Sequence, residues 1–369
     1  MALSDLVKEN IRRLKPYSPG KPIEEVEREY GITDIVKLAS NENPLGPSPK
    51  AVEAMRKALE KVSLYPDGIC FYLKKALAKH WNVAEEQIIV GNGSDELIHY
   101  IGVTFLSAGD EVIQADPSFV RYESAAVLND CECIMVPLRD LTHDLEAMAG
   151  RITDRTRLIF IANPNNPTGT AVTQRDVDRF MSRLPERVIA VFDEAYYEYV
   201  ESPDYPDMLS CVNSGANVIV LRTFSKIYGL AGLRVGYGIA RPEVIQCLNQ
   251  VREPFNVNSI AQVGAVASLE DRGQVERSRR VNSEGKQFLY REFEAMGLPY
   301  APSEANFVFF DIQRDCRPVF EELLKRGVIV RTGDIFGFPT FFRVTIGTDA
   351  ENRRFIRALR EVLSRASAG

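Results

Sequence analysis

From residue 88 to about 240 the chain alternates short apolar runs with longer stretches of helical spacing. Runs at 88–90, 111–115, 133–136, 158–162, 188–192 and 218–221 are rich in Val, Ile and other apolar side chains, the pattern of buried strands. Helical patterns at 94–106, 118–129 and 173–184 fall between them. This alternation predicts an α/β unit on a mostly parallel sheet, with a ligand site at the strands' C-terminal ends. After Arg241-Pro242 the pattern changes. Long helical stretches at 260–269 and 274–296 precede short strands at 306–310, 328–330 and 342–346, with helices near 317–326 and from Asp349 onward. That is a smaller α+β unit. At the other end, Lys15-Pro16-Tyr17-Ser18-Pro19-Gly20-Lys21-Pro22 can hardly be regular helix and reads as an arm packed on another surface, such as a second subunit. A short helix is expected at 24–30, ended by Gly31, then a long polar turn from Ser40 to Pro49 and a helix at 49–61. The expected division is an arm with part of the small domain at 1–40, a large domain at 41–255 and a small domain at 256–369.

Composition narrows the classes of function. In 369 residues, 45% hydrophobic and 26% charged side chains are ordinary for a globular chain with a substantial core. A net charge of −6 gives no electrostatic footprint for nucleic acid or an anionic membrane. No apolar run reaches the length of a membrane span, and the N-terminus lacks the apolar core of a signal peptide, so a cytoplasmic location is expected. Six cysteines are scattered; Cys131 and Cys133 would share a strand face, but no second pair completes a zinc pattern. Reduced thiols are the expectation. With three histidines and no helical HExxH spacing, no catalytic metal is expected.

The chemistry concentrates after strand ends. Thr223-Phe224-Ser225-Lys226 follows the run 218–221 and leads through glycines to Arg234. A lysine at the end of a buried strand is awkward for a core. Desolvation and neighbouring cations lower its pKa, so the neutral amine can attack a carbonyl. Thr223, Ser225 and Arg234 add two hydroxyls and a guanidinium, a set suited to a phosphate monoester. An amine beside a phosphate clamp is what pyridoxal phosphate requires, although a solvated loop lysine is the plain alternative. Gly91-Asn92-Gly93-Ser94-Asp95-Glu96 follows a strand and opens a helix, so its amides suit an anion or simply cap the helix; Glu96 replaces the third glycine of a dinucleotide fingerprint. Asn163-Pro164-Asn165-Asn166-Pro167-Thr168-Gly169 is a rigid turn able to present Asn166 to a phenolate oxygen. Asp193 ends an apolar run; against a pyridine nitrogen it would keep that nitrogen protonated, and otherwise it caps a turn. Tyr196 is placed to reach the same ring's hydroxyl. Phe119 suits stacking on a ring or simple core packing. Arg331 and Arg343, beside or within apolar strands, each need an anionic partner, whether a structural carboxylate or a substrate.

In this order the motifs resemble the fold-type I pyridoxal-phosphate aminotransferases: Gly-Ser-Asp-Glu at 93–96, Asn-Pro-Thr-Gly at 166–169, Asp-Glu-Ala-Tyr at 193–196, Ser-Lys at 225–226, and arginines at 234 and 343. Within that family the chain is most similar to the histidinol-phosphate group, on Leu14-Lys15-Pro16-Tyr17, the stretch from Lys37 to Gly46, Tyr65-Pro66-Asp67, Arg222-Thr223-Phe224-Ser225-Lys226 and Pro254-Phe255-Asn256-Val257-Asn258. The resemblance implies the fold-type I architecture, a seven-stranded, mostly parallel sheet in a large pyridoxal-phosphate-binding domain plus a smaller α+β domain. It implies Lys226 as the covalent attachment point and proton shuttle, Asp193 on the pyridine nitrogen, and Asn166 with Tyr196 on the phenolate oxygen. Ser94, Asp95, Thr223, Ser225 and Arg234 would surround the cofactor phosphate, with Tyr65 reaching it from the second subunit of a homodimer. Tyr17, Asn43, Arg331 and Arg343 would bind substrate. Phe119 stands where relatives often carry Tyr, and the chain departs after Asp67 from the Pro-containing turn of the group. The implied reaction converts L-histidinol phosphate and 2-oxoglutarate to imidazole-acetol phosphate and glutamate. Transamination of phenylalanine or tyrosine on the same residues, decarboxylation of a phosphorylated amino acid, and a ligand-binding regulatory module are the alternatives.

Overall fold

The computed structural model describes residues 6–14, 16 and 20–365. Its thirteen strands are β1 (Val36–Lys37), β2 (Ile88–Gly91), β3 (Glu111–Asp116), β4 (Glu132–Pro137), β5 (Thr156–Ala162), β6 (Ile189–Asp193), β7 (Val218–Thr223), β8 (Gly236–Ala240), β9 (Tyr300–Ala301), β10 (Phe307–Asp311), β11 (Val328–Ile329), β12 (Arg331–Thr332) and β13 (Phe341–Thr345). Seven form one sheet in the order β2-β8-β7-β6-β5-β3-β4. The pairs β7-β6, β6-β5, β5-β3 and β3-β4 are parallel, and only β8 runs antiparallel to its neighbours. The six apolar runs read in this region are strands β2 to β7. The seventh, β8, is Gly-Tyr-Gly-Ile-Ala, whose two glycines dilute the apolar pattern. Those glycines allow a close approach: a Cβ on Gly236 would lie 2.5 Å from the Ser94 amide nitrogen.

Central strands read as unbroken apolar runs because both faces of the sheet are covered. Ile159, Ile161, Phe192, Val218 and Val220 join one apolar cluster, while Leu158, Phe160, Val191, Ile219 and Leu221 join the other. This period of two fixes the direction of the residues that follow. Asp193 and Thr223 continue toward the face of Val191 and Leu221, and Arg222 toward the face of Phe192 and Val220. Arg222 is 1% exposed. Its Nε and Nη2 donate to Glu194 Oε2 at 2.9 and 2.7 Å, and its guanidinium carbon lies 3.9 Å from the Trp81 ring centroid and 3.6 Å from that of Tyr197.

A four-stranded antiparallel sheet, β12-β13-β10-β9, packs against the long helix Arg272–Met296 and the helices Cys316–Leu324 and Asp349–Arg365 around Phe293, Phe310, Phe342 and Phe355. β1 joins this unit by pairing parallel with β11. The segment from 256 to 269, expected with the C-terminal unit, packs instead with the large one: Val257, Ala261, Ala265 and Leu269 belong to the same apolar cluster as Ile159 and Val220. The helix Ser259–Leu269 lies on the helices Pro49–Ala58 and Phe71–Trp81. Phe71–Trp81 follows a left-handed Cys70 (φ +53°) and is capped from Asp67 Oδ2, which accepts from the Phe71 amide at 2.7 Å. Such a distant cap leaves little sequence signal, and the helix was not expected.

Removing one member of the sealed ion pair leaves a buried charge without its counterion. Glu194→Leu should therefore cost about 3–5 kcal/mol of stability, read as a lower urea midpoint, and adding Arg222→Met should recover most of it.

Candidate active site

The ends of the parallel strands deliver polar residues to one cavity of about 290 Å³, just under the usual lower bound of ligand-site sizes. Asp193 ends β6 and Thr223 ends β7, with Ser225 and Lys226 in the turn that follows; Asn166 follows β5, and Ser94 and Asp95 open the helix Ser94–Phe105 after β2. All of these line the cavity, together with Phe119, Tyr196, Arg234, Arg331 and Arg343. The small unit thus supplies two arginines to a site whose floor is the large sheet.

Asp193 is 5% exposed. Its Oδ2 accepts from Tyr122 Oη at 2.8 Å, while Oδ1, equally buried, makes no hydrogen bond among the described residues. Burial pushes its carboxyl up to about 6, opposed by the Tyr122 hydroxyl. Lys226 moves the opposite way, down to about 8, because burial and then the Arg343 guanidinium disfavour the ammonium form. Its Nζ lies 3.4 Å from the Ser40 carbonyl oxygen and 5.5 Å from the Tyr196 ring centroid. Tyr196 is buried, and its hydroxyl accepts from Asn41 Nδ2 at 3.0 Å.

Around the start of the helix at Ser94 the backbone is shaped to admit an arginine. Gly93 has φ +80°, and a Cβ there would lie 2.5 Å from Arg234 Nη2. Arg234 itself adopts φ +56°, a left-handed conformation that costs an arginine about 1–2 kcal/mol. Its Nη1 donates to Ser225 Oγ at 3.3 Å, and Nη2 lies 3.8 Å from Asp95 Oδ2. The Ser225 amide donates to Thr223 Oγ1 at 3.0 Å. Helix amides, hydroxyls and a guanidinium converge as an anion cradle. On the other side, Arg343 Nη1 donates to Asn166 Oδ1 at 2.5 Å and Nη2 to the Ala39 carbonyl at 2.7 Å. Arg331 and Arg343 are cross-strand partners in the β12-β13 ladder. Like charges directly opposite repel, so an anion between them is favoured.

Asn43 lies elsewhere, and Tyr65, expected to serve the second subunit's site, lies outside this chain's cavity. Asn43 is buried outside the cavity lining, its amide donating to the Ile227 carbonyl at 2.6 Å and to Ser278 Oγ at 2.9 Å. Tyr65 is 83% exposed and stacks on Phe255 with centroids 4.8 Å apart. Tyr17 falls outside the described residues. In turn, Asn41, Glu42 and Tyr122 line the cavity without having been singled out. Asn41 has φ +58° and is locked by Thr345, whose Oγ1 both accepts from its amide and donates to its Oδ1. The polar turn that contains it was visible; which of its asparagines faces the site was not.

The residues fit pyridoxal phosphate. A ring N–H would satisfy the orphaned Asp193 Oδ1, the cradle at Arg234 suits a phosphate, and the lowered Lys226 offers a neutral amine. The pH dependence follows from the sign of the Lys226 shift. The rate at which pyridoxal phosphate becomes trappable by borohydride on Lys226 should rise with pH and level off above about 8. Arg343→Met removes a cation that lowers that pKa, so the same rise should move to higher pH.

Comparison with known proteins gives the same picture. The sequence profile of the family described as aminotransferase class I and II matches residues 33–359. A histidinol-phosphate aminotransferase from Moorella thermoacetica is 60% identical over 358 residues, covering 97% of this chain and 93% of that protein. One from Caldicellulosiruptor saccharolyticus is 49% identical over 97% of this chain and all of its own length. The crystal structure of histidinol-phosphate aminotransferase from Sinorhizobium meliloti in complex with pyridoxal 5′-phosphate superposes with a TM-score of 0.90 at 29% identity, covering 98% of each chain. An aspartate aminotransferase variant from Thermus thermophilus shares the fold at a TM-score of 0.82 and 24% identity. On the cavity chemistry, the family profile and these near-full-length relatives together, this chain belongs to the class I and II aminotransferases.

Proposed function

We propose that this chain is a cytoplasmic, homodimeric, pyridoxal-phosphate-dependent aminotransferase that transfers the amino group of L-histidinol phosphate to 2-oxoglutarate, giving imidazole-acetol phosphate and L-glutamate in histidine biosynthesis. One observation carries it: the cavity that holds Lys226 and Asp193 is closed by the cross-strand pair Arg331 and Arg343, a second anion site beside the cradle at Arg234. Substrates with an anionic end suit that pair, and the names of the most similar relatives support histidinol phosphate as the donor.

When bound, pyridoxal phosphate supplies an aldehyde carbon for amines and a ring that accepts the electrons left when a Cα–H bond breaks. Every other task falls to side chains. The Arg234 guanidinium, the hydroxyls of Thr223 and Ser225 and the amides at Ser94 and Asp95 would hold the phosphate. Asp193 Oδ1 would hold the ring nitrogen proton. Asn166 and Tyr196 would serve the ring oxygen, and Phe119 would pack against the ring. Lys226 Nζ, neutral in an appreciable fraction near pH 8, takes the Cα proton and returns it, with the Tyr196 ring and Ser40 carbonyl fixing its position. Arg331 and Arg343 orient the substrate's anionic end, phosphate in the donor and carboxylate in the acceptor.

The homodimer rests on the surface around Tyr65. Leu59, Val62, Leu64, Ile69 and Tyr72 are exposed in the same stretch, an apolar patch that a second copy would cover. Tyr65 would then reach the phosphate held by the other subunit.

Two measurements check this reading. With 2-oxoglutarate as acceptor, kcat/KM for L-histidinol phosphate should exceed that for L-phenylalanine by orders of magnitude. A preference for phenylalanine would place a carboxylate on Arg343 and overturn the substrate assignment. Mixed dimers of inactive Lys226→Ala and inactive Tyr65→Ala chains should regain activity, because one of the two sites would have both residues. Confirmed heterodimers without activity would count against a shared site.

A further inference from the structure

We propose that Tyr122 is a positioning residue that acts through Asp193, fixing the rotation of its carboxylate so that Oδ1 faces the cofactor ring nitrogen. Tyr122 lies on the helix Arg121–Leu128, where Ala125, Ala126 and Val127 are also buried. It is fully buried, stacked on Phe160 with centroids 4.7 Å apart and 5° between planes, and meets the cavity-lining Phe119 edge-on at 5.7 Å. Stacking on one side and an edge contact on the other fix the ring. The hydroxyl then has one partner, Asp193 Oδ2 at 2.8 Å.

A carboxylate at a strand end turns about its terminal torsion unless something holds one oxygen. Tyr122 holds Oδ2, and Oδ1 is left without a partner at the cavity. A buried polar atom left unpaired costs free energy in the empty protein, and that cost is relieved when a ring N–H arrives. The donor also favours the anionic form of Asp193. The ionisable groups facing this carboxyl are Asp95 from the helix Ser94–Phe105 and Glu194 and Tyr196 from its own segment. None is cationic, and both carboxylates oppose ionisation. Tyr122 is therefore the side chain among these that supports the charge. Without its hydroxyl only the Ala195 backbone amide is left to oppose burial and the neighbouring carboxylates, so Asp193 keeps its proton to higher pH.

The inference rests on the reading that Asp193 pairs with the cofactor ring, and the test separates the two. Tyr122→Phe keeps the ring stack and deletes only the hydroxyl. The equilibrium affinity for pyridoxal 5′-phosphate and the visible absorbance of the bound chromophore are followed from pH 6 to 9 in wild type, Tyr122→Phe, Asp193→Ala and the double variant. Loss of a hydrogen bond to a charged group predicts affinity about tenfold or more weaker at neutral pH in Tyr122→Phe. The defect should shrink as pH rises, with the acid limb moved up by about one pH unit. In the Asp193→Ala background the same substitution should change affinity little, because its target is gone. Unchanged affinity and pH profile in Tyr122→Phe overturns the proposal. An equal loss in both backgrounds also overturns it, by assigning Tyr122 a packing role alone. Unchanged affinity in Asp193→Ala overturns the assignment of Asp193 and the proposal together.

Discussion

A guanidinium and a carboxylate sealed beneath the ends of two strands hold this site in shape. Arg222 on β7 and Glu194 just beyond β6 are paired between the rings of Trp81 and Tyr197, with the Glu194 amide donating to the Leu221 carbonyl across the same strands at 2.8 Å. Because side chains alternate along a strand, their neighbours Asp193 and Thr223 point to the opposite face. Clamping one face therefore fixes the spacing of the cavity residues on the other. Apolar side chains would fill the same space at less desolvation cost, but they would not tie two particular strand ends in one register.

On the cavity face, burial works against the charge of both central groups. It pushes Asp193 up to about 6 and draws Lys226 down to about 8, so each is nearer to its neutral form than it would be in water. The two groups serve different ends. A neutral lysine is a nucleophile and a proton acceptor, whereas the carboxylate is useful as an anion against a protonated ring. The structure treats them accordingly. Arg343 strengthens the shift of Lys226, and the Tyr122 hydroxyl opposes that of Asp193.

The arginines show how two units share one chemistry. Arg234 reaches the start of the helix at Ser94 through a left-handed backbone turn that an Arg does not adopt without cost. Arg343 comes from the small sheet and donates to Asn166 and Ala39, residues that belong to the large unit's turn and to the crossing segment after β1. Placement of the cavity arginines is thus coupled to the packing of the small unit on the large one.

The sequence by itself determined the α/β alternation, the strands β2 to β7 and the residues at their ends. Asp193, Thr223, Ser225 and Lys226 stood out because each directly follows a buried apolar run, but a turn cap or a solvated lysine gives the same local pattern, and it is the shared cavity that brings them together. The two glycines of β8 hid a strand, and the cap of the helix Phe71–Trp81 lies several residues away, so local pattern failed at both. Tertiary structure alone decided which asparagine of the 40–49 turn faces the cavity, that residues 256–269 pack with the large sheet, and that Tyr122 is more than core. Each of these depends on a contact between segments distant in sequence: Asn41 with Tyr196 and Thr345, Ala261 with the large core, Tyr122 with Asp193. Hydrophobic periodicity records only whether a residue is buried, and a tyrosine buried against a carboxylate has the same period as one buried against a phenylalanine.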